Sequence, residues 1–306
     1  MNHRIVLLLI VTLVCLQPLA ASAAPPADAA GRLGLLIGLI LPLAFLAWRR
    51  GLGTIAGTFL LAAVALGVAV GLRRGADADA ALKPVSWIHA APAQWPQIVL
   101  TNDARFCCGH TSLKGASAFL LRTADGRVLG ATARHLIGEA GGVQPEINLQ
   151  DLNQVLESWR LFPRTRPSRA VAMQALPLPG LDRPDLDWLL LAPADPAGLD
   201  GIEPLQVRQR PVEVGETVHL VGCPYAAARC VQQVYSGRVV ERMGNMFRFE
   251  FKPHVNLAGF SGAPVIDAQG HLVGVMTISF RPRELFDKHV EGGGQDVAAI
   301  APLLRG

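Results

Sequence analysis

Residues 258–275 read AGFSGAPVIDAQGHLVGV, with Ser261 between Phe260 and Gly262 and Gly259 two positions before it. Glycines on both sides of a serine let the backbone turn sharply, so that the hydroxyl projects and nearby N–H groups point at one spot. Such a pair of donors stabilises the oxyanion of an acyl-transfer intermediate. The plainer reading is a Gly-Ser loop between two strands. PVID and HLVGV then flank Ala-Gln-Gly as two short apolar runs around a turn, the pattern of a hairpin. The serine elbow G-x-S-x-G of α/β-hydrolases is not met, because Ala263 replaces its last glycine.

The hairpin pattern extends outward from this stretch. SAFLLRT (117–123), RVLGATARHL (127–136), DWLLLAP (187–193), ETVHLVG (216–222), QQVYSGRVVE (232–241), NMFRFEFK (245–252) and DVAAIAP (296–302) are short apolar runs. Punctuated by Asp-Gly and similar turns and rich in Val, Ile, Phe and Thr, they predict an all-β region of many antiparallel strands, in packed barrels or a sandwich. LQDLNQVLESWRLF (149–162) departs from the rule, its apolar spacing predicting a helix in an inserted loop.

A nucleophilic serine needs a base, and the base needs an orienting carboxylate. Of the histidines, His135 follows the apolar run ending in Ala131-Thr132-Ala133, at a strand-to-turn junction. A satisfied structural histidine is the ordinary alternative. Asp187 opens a strand of unbroken apolar residues, and Asp185, two positions earlier, competes for its role.

Three of these segments together resemble trypsin-like serine peptidases, in that family's order: T-A-x-H at His135, the Asp-x-Ala-Leu-Leu segment at Asp187 with Leu189 where Ala is usual, and the G-x-S-G-G-P segment at Ser261 with Ala263 in place of the second Gly. The resemblance covers roughly 105–306 and includes the closing DVAAIAPLLRG. It implies two six-stranded antiparallel β-barrels, with His135 and Asp187 on the first and Ser261 on the second. It also implies a catalytic triad, an oxyanion hole from the N–H groups of Gly259 and Ser261, a polypeptide substrate, and neither metal nor cofactor. Two departures stand out. Phe260 replaces the Asp that receives a freed N-terminus in activated digestive members, so activation by N-terminal cleavage is not expected. Ala263 replaces a glycine and adds a methyl group that is expected to restrict substrate approach.

By the same resemblance Val255 forms the floor of the main substrate pocket and Thr277, Ile278 and Ser279 form its wall. Val255 offers no carboxylate to a substrate Lys or Arg, so the expected preference is a small or medium apolar residue.

The chain has 306 residues, 51% hydrophobic and 17% charged, which excludes a disordered protein. Residues 1–75 hold six arginines against one Asp, whereas the other 231 residues carry 22 Lys/Arg and 23 Asp/Glu. The basic balance thus belongs to the N-terminal flanks, and nothing argues for nucleic acid.

Those flanks read as membrane segments. Residues 1–24 form a signal peptide or anchor helix: Arg4, a 12-residue apolar run, then small residues to a cleavage point near Ala23 or Ala24. Leu33–Trp48 and Gly51–Leu72, joined by Arg49-Arg50, predict a two-helix transmembrane hairpin over 33–72. Its lack of charged residues outside that loop marks an anchor, not a conduit. Arginine counting ties at three inside and three outside, so the signal-like start decides, placing the rest on the periplasmic or extracellular side. The rival is a cytoplasmic domain. Residues 73–97 read as a tether, and 98–306 as the barrels, divided near 198/199.

Four cysteines remain beyond Cys15. Cys223–Cys230 is the expected disulfide, and the adjacent Cys107 and Cys108 are expected not to pair. Besides a membrane-anchored peptidase, two other classes fit: a catalytically silent peptide-binding module and a membrane sensor or scaffold of the same fold.

Overall fold

A computed structural model describes residues 79, 82–227, 231–251, 255–280 and 290–305. The expected signal segment and hairpin lie outside the described residues, and no helix among the described residues is long and apolar enough to cross a membrane.

The apolar runs become strands because their side chains alternate between core and surface. In β1 (Leu100–Phe106) every second residue is buried, with a burial period of two. With β2 (Leu113–Arg122), β3 (Val128–Ala133), β4 (Leu156–Phe162), β5 (Val171–Ala175) and β6 (Trp188–Pro193) it forms an antiparallel sheet ordered β1-β4-β5-β6-β3-β2. The additional β1–β2 pairing closes that sheet into a six-stranded barrel. A short β7 (Leu205–Gln206) joins β2 in parallel on the way to the second barrel.

The second barrel comprises β8 (Thr217–Gly222), β9 (Gln233–Met243), β10 (Met246–Phe251), β11 (Pro264–Asp267), β12 (Leu272–Phe280) and β13 (Val290–Asp296). These six strands close in the order β10-β13-β12-β11-β8-β9. The architecture is therefore all-β with two closed six-stranded antiparallel barrels.

Phe119, Trp159, Trp188 and Leu190 fill the first barrel, and Val218, Leu220, Phe247, Phe249 and Val265 fill the second. Leu272, Val275, Ile300 and Leu304 pack in the first barrel's cluster although they lie late in the chain. Burying side chains of this size is worth about 1.5–3 kcal/mol each. The two barrels thus share apolar contacts that hold loops from both at one junction.

The helix expected over 149–162 is corrected. Only Leu152–Val155 is helical (α1), and Leu156–Phe162 is β4. Within β4, Trp159 and Leu161 are buried while Ser158 and Arg160 are exposed, a period of two that the apolar spacing upstream concealed. Tertiary pairing with β1 and β5 decides the conformation.

Described residues of the tether segment lie on the barrels. Asp79 accepts the N–H groups of Gln209 (2.6 Å) and Arg210 (3.0 Å), and Val85 N–H donates to Gln269 O. The Trp87 and Trp95 rings meet at 4.8 Å, tilted by 59°, and pack against the core. Two exposed-looking tryptophans in an Ala/Pro-rich stretch therefore mark a docked strap.

Candidate active site

His135 lies in a single 3₁₀ turn, Arg134–Ile137, directly after β3. Asp187 lies directly before β6, and β3 pairs with β6 so that Ala133 faces Trp188. That register puts the end of one strand beside the start of the other, and it brings the two side chains together. His135 Nδ1 lies 2.6 Å from Asp187 Oδ2, and the His135 backbone N–H donates to Asp187 Oδ1 at 2.7 Å. Arg134 N–H also donates to Asp187 O. The imidazole is thus oriented from ring and backbone at once, and among the described residues its Nε2 has no partner.

Asp185 does not compete. Its carboxylate is exposed, takes Arg183 and Asn245 as partners, and is held below the usual carboxylate range by the Arg183 hydrogen bond. The Arg134 guanidinium donates to Arg183 O at 2.9 Å.

Gln295, which sequence reasoning missed, fixes the aspartate loop. This buried glutamine of β13 accepts the Asp187 N–H through Oε1 and donates through Nε2 to Asp185 O, both at 2.7 Å. A glutamine directly after the three glycines of EGGGQD is its whole sequence signal.

Ser261 lies on the loop before β11. Gly259 and Gly262 take φ of +88° and +82°, the left-handed region that glycine tolerates. The loop is pinned to the first barrel: Ser117 N–H donates to Ser261 O (2.9 Å), and Ser117 Oγ donates to Gly259 O (2.8 Å). Behind it, buried Asn102 donates to Ser117 O, accepts Trp159 Nε1–H and contacts Thr132 Oγ1, which also donates to Ser117 O. A Cβ on Gly262 would sit 2.1 Å from Ser117 O and 2.3 Å from Thr132 Oγ1. Thr132 is three residues before His135, so the serine loop abuts the strand that carries the histidine. Among the described residues, the N–H groups of Gly259 and Ser261 donate to no protein acceptor.

Phe260 and Ala263 both point into the second barrel's core. Phe260 packs edge-on to Tyr235 and occupies the space a Cβ on Gly222 would need. The Ala263 methyl is therefore core packing, and the expected restriction of substrate approach is corrected.

Of the expected pocket residues, Val255 is buried among second-barrel core residues, whereas Ile278 is 44% exposed and Ser279 is exposed. Thr277 sits at a register shift between Met276 and Ile278, its hydroxyl 3.4 Å from Gly293 O. A cavity of about 490 Å³ adjoins His135 and is lined by Glu146, Asn148, Asp151 and Asp182; another of about 280 Å³ adjoins Gly259.

Cys107 and Cys108 are disulfide-bonded to each other, against expectation. Cys108 takes φ of +62° and Gly109 +90°, a tight turn after β1 that puts both sulfurs on one side. Cys223 is disulfide-bonded, and its expected partner Cys230 lies outside the described residues.

The profile of the trypsin-like peptidase domain matches residues 116–275, a span from β2 to β12 that holds His135, Asp187 and Ser261. The chain belongs to the trypsin-like peptidase family. This peptidase has no match among curated proteins. Among solved structures it is similar to an inactive serine-to-alanine mutant of Rv3671c from M. tuberculosis H37Rv, with 16% identity, a TM-score of 0.43, and coverage of 73% of this chain and 93% of that one. It is also similar to the apo MamO protease domain from Magnetospirillum magneticum, with 16% identity, a TM-score of 0.43, and coverage of 69% and 97%. A Glu endopeptidase shares 15% identity at a TM-score of 0.47, with 73% and 94% covered.

Proposed function

We propose that this trypsin-like peptidase is a membrane-anchored serine endopeptidase acting through Ser261, His135 and Asp187. The observation that carries the reading is the two-point hold of Asp187 on His135, 2.6 Å to Nδ1 and 2.7 Å to the backbone N–H. A carboxylate on Nδ1 fixes the tautomer in which Nε2 is the acceptor, the form a general base needs.

In this mechanism Ser261 Oγ attacks the scissile carbonyl as His135 Nε2 takes its proton. The oxyanion forms against the N–H groups of Gly259 and Ser261, two donors with no competing protein acceptor among the described residues. His135 then protonates the leaving amine, Asp187 stabilises the imidazolium, and water repeats the cycle on the acyl-enzyme. Val255, Thr277, Ile278 and Ser279 line the pocket for the residue before the scissile bond and favour Ala, Val or Leu.

The anchor comprises residues 33–72, with the barrels on the periplasmic or extracellular side. This part rests on the apolar runs and the signal-like start. Alkaline phosphatase fused after Gly75 is active on that topology, and an active cytoplasmic reporter there contradicts it.

Peptide-library hydrolysis by the full chain tests the function. Cleavage after small apolar residues is expected, with kcat lowered about 10⁴-fold or more by His135→Ala. Dominant cleavage after Arg or Lys contradicts the pocket assignment, and unchanged turnover in the variant contradicts the triad.

A further inference from the structure

The cavity of about 280 Å³ lies against the serine loop on the side of β1 and β2. Gly259 and Ser117 form the wall it shares with the candidate site. Lys114 and Arg164 also line it, and among the described residues no acidic side chain does. Arg164 is held in place: its guanidinium donates to Tyr225 O at 3.1 Å and lies 5.5 Å from that ring's centroid. Among the described residues neither cation has a carboxylate partner. Asp103, opposite Lys114 in the β1–β2 register, is already paired with Arg160.

The backbone shapes this opening. β2 takes positive φ at Gly115 (+101°) and Ala116 (+56°), opposite a register shift in β1 between Thr101 and Asn102. The kink sets Gly115 against the Tyr225 ring, where a Cβ would meet it at 3.4 Å. Tyr225 in turn is fixed by its N–H to Ala258 O, next to Gly259. Ala116 in the left-handed region is a strained choice for a non-glycine residue, of the kind that persists where the surrounding structure enforces it.

The cavity does not include Val255 or Thr277–Ser279. If a polypeptide placed its scissile carbonyl at Gly259 and its acyl side along those residues, its leaving-group side would run past Ser117 towards the cavity, which both residues line. We propose that the cavity is a subsite for an acidic side chain, Glu or Asp, one or two residues after the scissile bond. The proposal rests on Ser261 being the nucleophile. A wall of the serine loop, an aromatic side and two cations without an anion select a carboxylate and reject a substrate Lys.

The test uses the full chain and peptides identical except for Glu, Gln or Lys at the first or second position after the cleaved bond. Hydrolysis is expected about fivefold faster in kcat/KM for Glu than for Gln, as suits a partly solvated ion pair, and slower still for Lys. The Glu/Gln ratio falls towards one in the double variant Lys114→Gln/Arg164→Gln. If that variant does not fold, a Glu/Gln ratio in wild type that shrinks with added salt supports the subsite, and a salt-independent ratio overturns it. Equal cleavage of all three peptides overturns the subsite and leaves the peptidase reading intact. If the chain cleaves none and takes no fluorophosphonate, the peptidase reading fails. Fluorescence anisotropy then decides the subsite, with tighter binding of the Glu peptide supporting it and equal binding overturning it.

Discussion

Gln295 Oε1 accepts the backbone N–H of Asp187 at 2.7 Å, so the last strand of the second barrel fixes the carboxylate that orients a histidine of the first. The same side chain donates to Asp185 O, closing a two-sided clamp on the loop. Removing it takes away the partner of one part-buried N–H and one part-buried carbonyl, a loss of about 1 kcal/mol per hydrogen bond. Because Asp187 touches His135 and not the substrate, the expected defect is one of positioning.

Gln295→Ala is expected to lower kcat about tenfold or more while KM moves less than twofold. Steady-state kinetics on a peptide substrate checks this. A variant with raised KM and intact kcat would show that Gln295 only supports the fold.

Gly262→Ala is expected to eliminate activity. The new methyl would lie 2.1 Å from Ser117 O at a φ of +82°, so the loop that carries Ser261 must shift. Ala263→Gly is the contrasting variant: it removes a buried methyl from the second core and costs about 1 kcal/mol with turnover retained. Thermal unfolding and peptide hydrolysis, measured side by side, separate the two outcomes.

Behind the second barrel, buried Arg208 bonds Glu216 and lies 3.4 Å from Asp267. Burial opposes its charge, but Glu216 and the nearby Asp267 and Asp296 raise its pKa further. Arg208→Leu removes the buried cation that faces Glu216 and Asp267 and is expected to cost about 3–5 kcal/mol. A thermal unfolding midpoint within a degree of wild type would contradict this.

His271 links the strap to pH. Its Nε2 meets Lys83 O at 3.1 Å and its Nδ1 faces Asp267 at 3.5 Å, with Asp79, Arg208 and Arg210 around the same cavity. Burial opposes the charged ring, yet Asp267, the Lys83 carbonyl and the charge of Asp79 outweigh it, so its pKa is raised. The resulting stability is fully present below the ordinary histidine pKa of about 6.5 and is lost as pH rises through the raised value. The stability gap between wild type and His271→Gln should therefore narrow from pH 6 upward, to about zero well above that value. A gap that widens with pH contradicts the assignment.

The parts of this molecule that the sequence made legible are those coded locally. The β11–β12 hairpin, the positive-φ glycines around Ser261 and the strand that delivers His135 each depend on a few consecutive residues. What stayed hidden depends on distant partners. Gln295 acts on a loop 108 residues away, and Ser117 acts on one 142 residues away. Neither has a local pattern to announce it. Likewise β4 was concealed by helix-like spacing because β1 and β5 impose its period. The Cys107–Cys108 bond depends on a left-handed turn that the dipeptide alone does not reveal.

The central claim is that Ser261 is a nucleophile activated by His135. The most direct measurement is labelling of the full chain with a fluorophosphonate, followed by mass spectrometry of the modified peptide. The account predicts one stoichiometric adduct on Ser261, absent after His135→Ala or Ser261→Ala. Folded wild type that takes no label, or takes it on another residue, would contradict it.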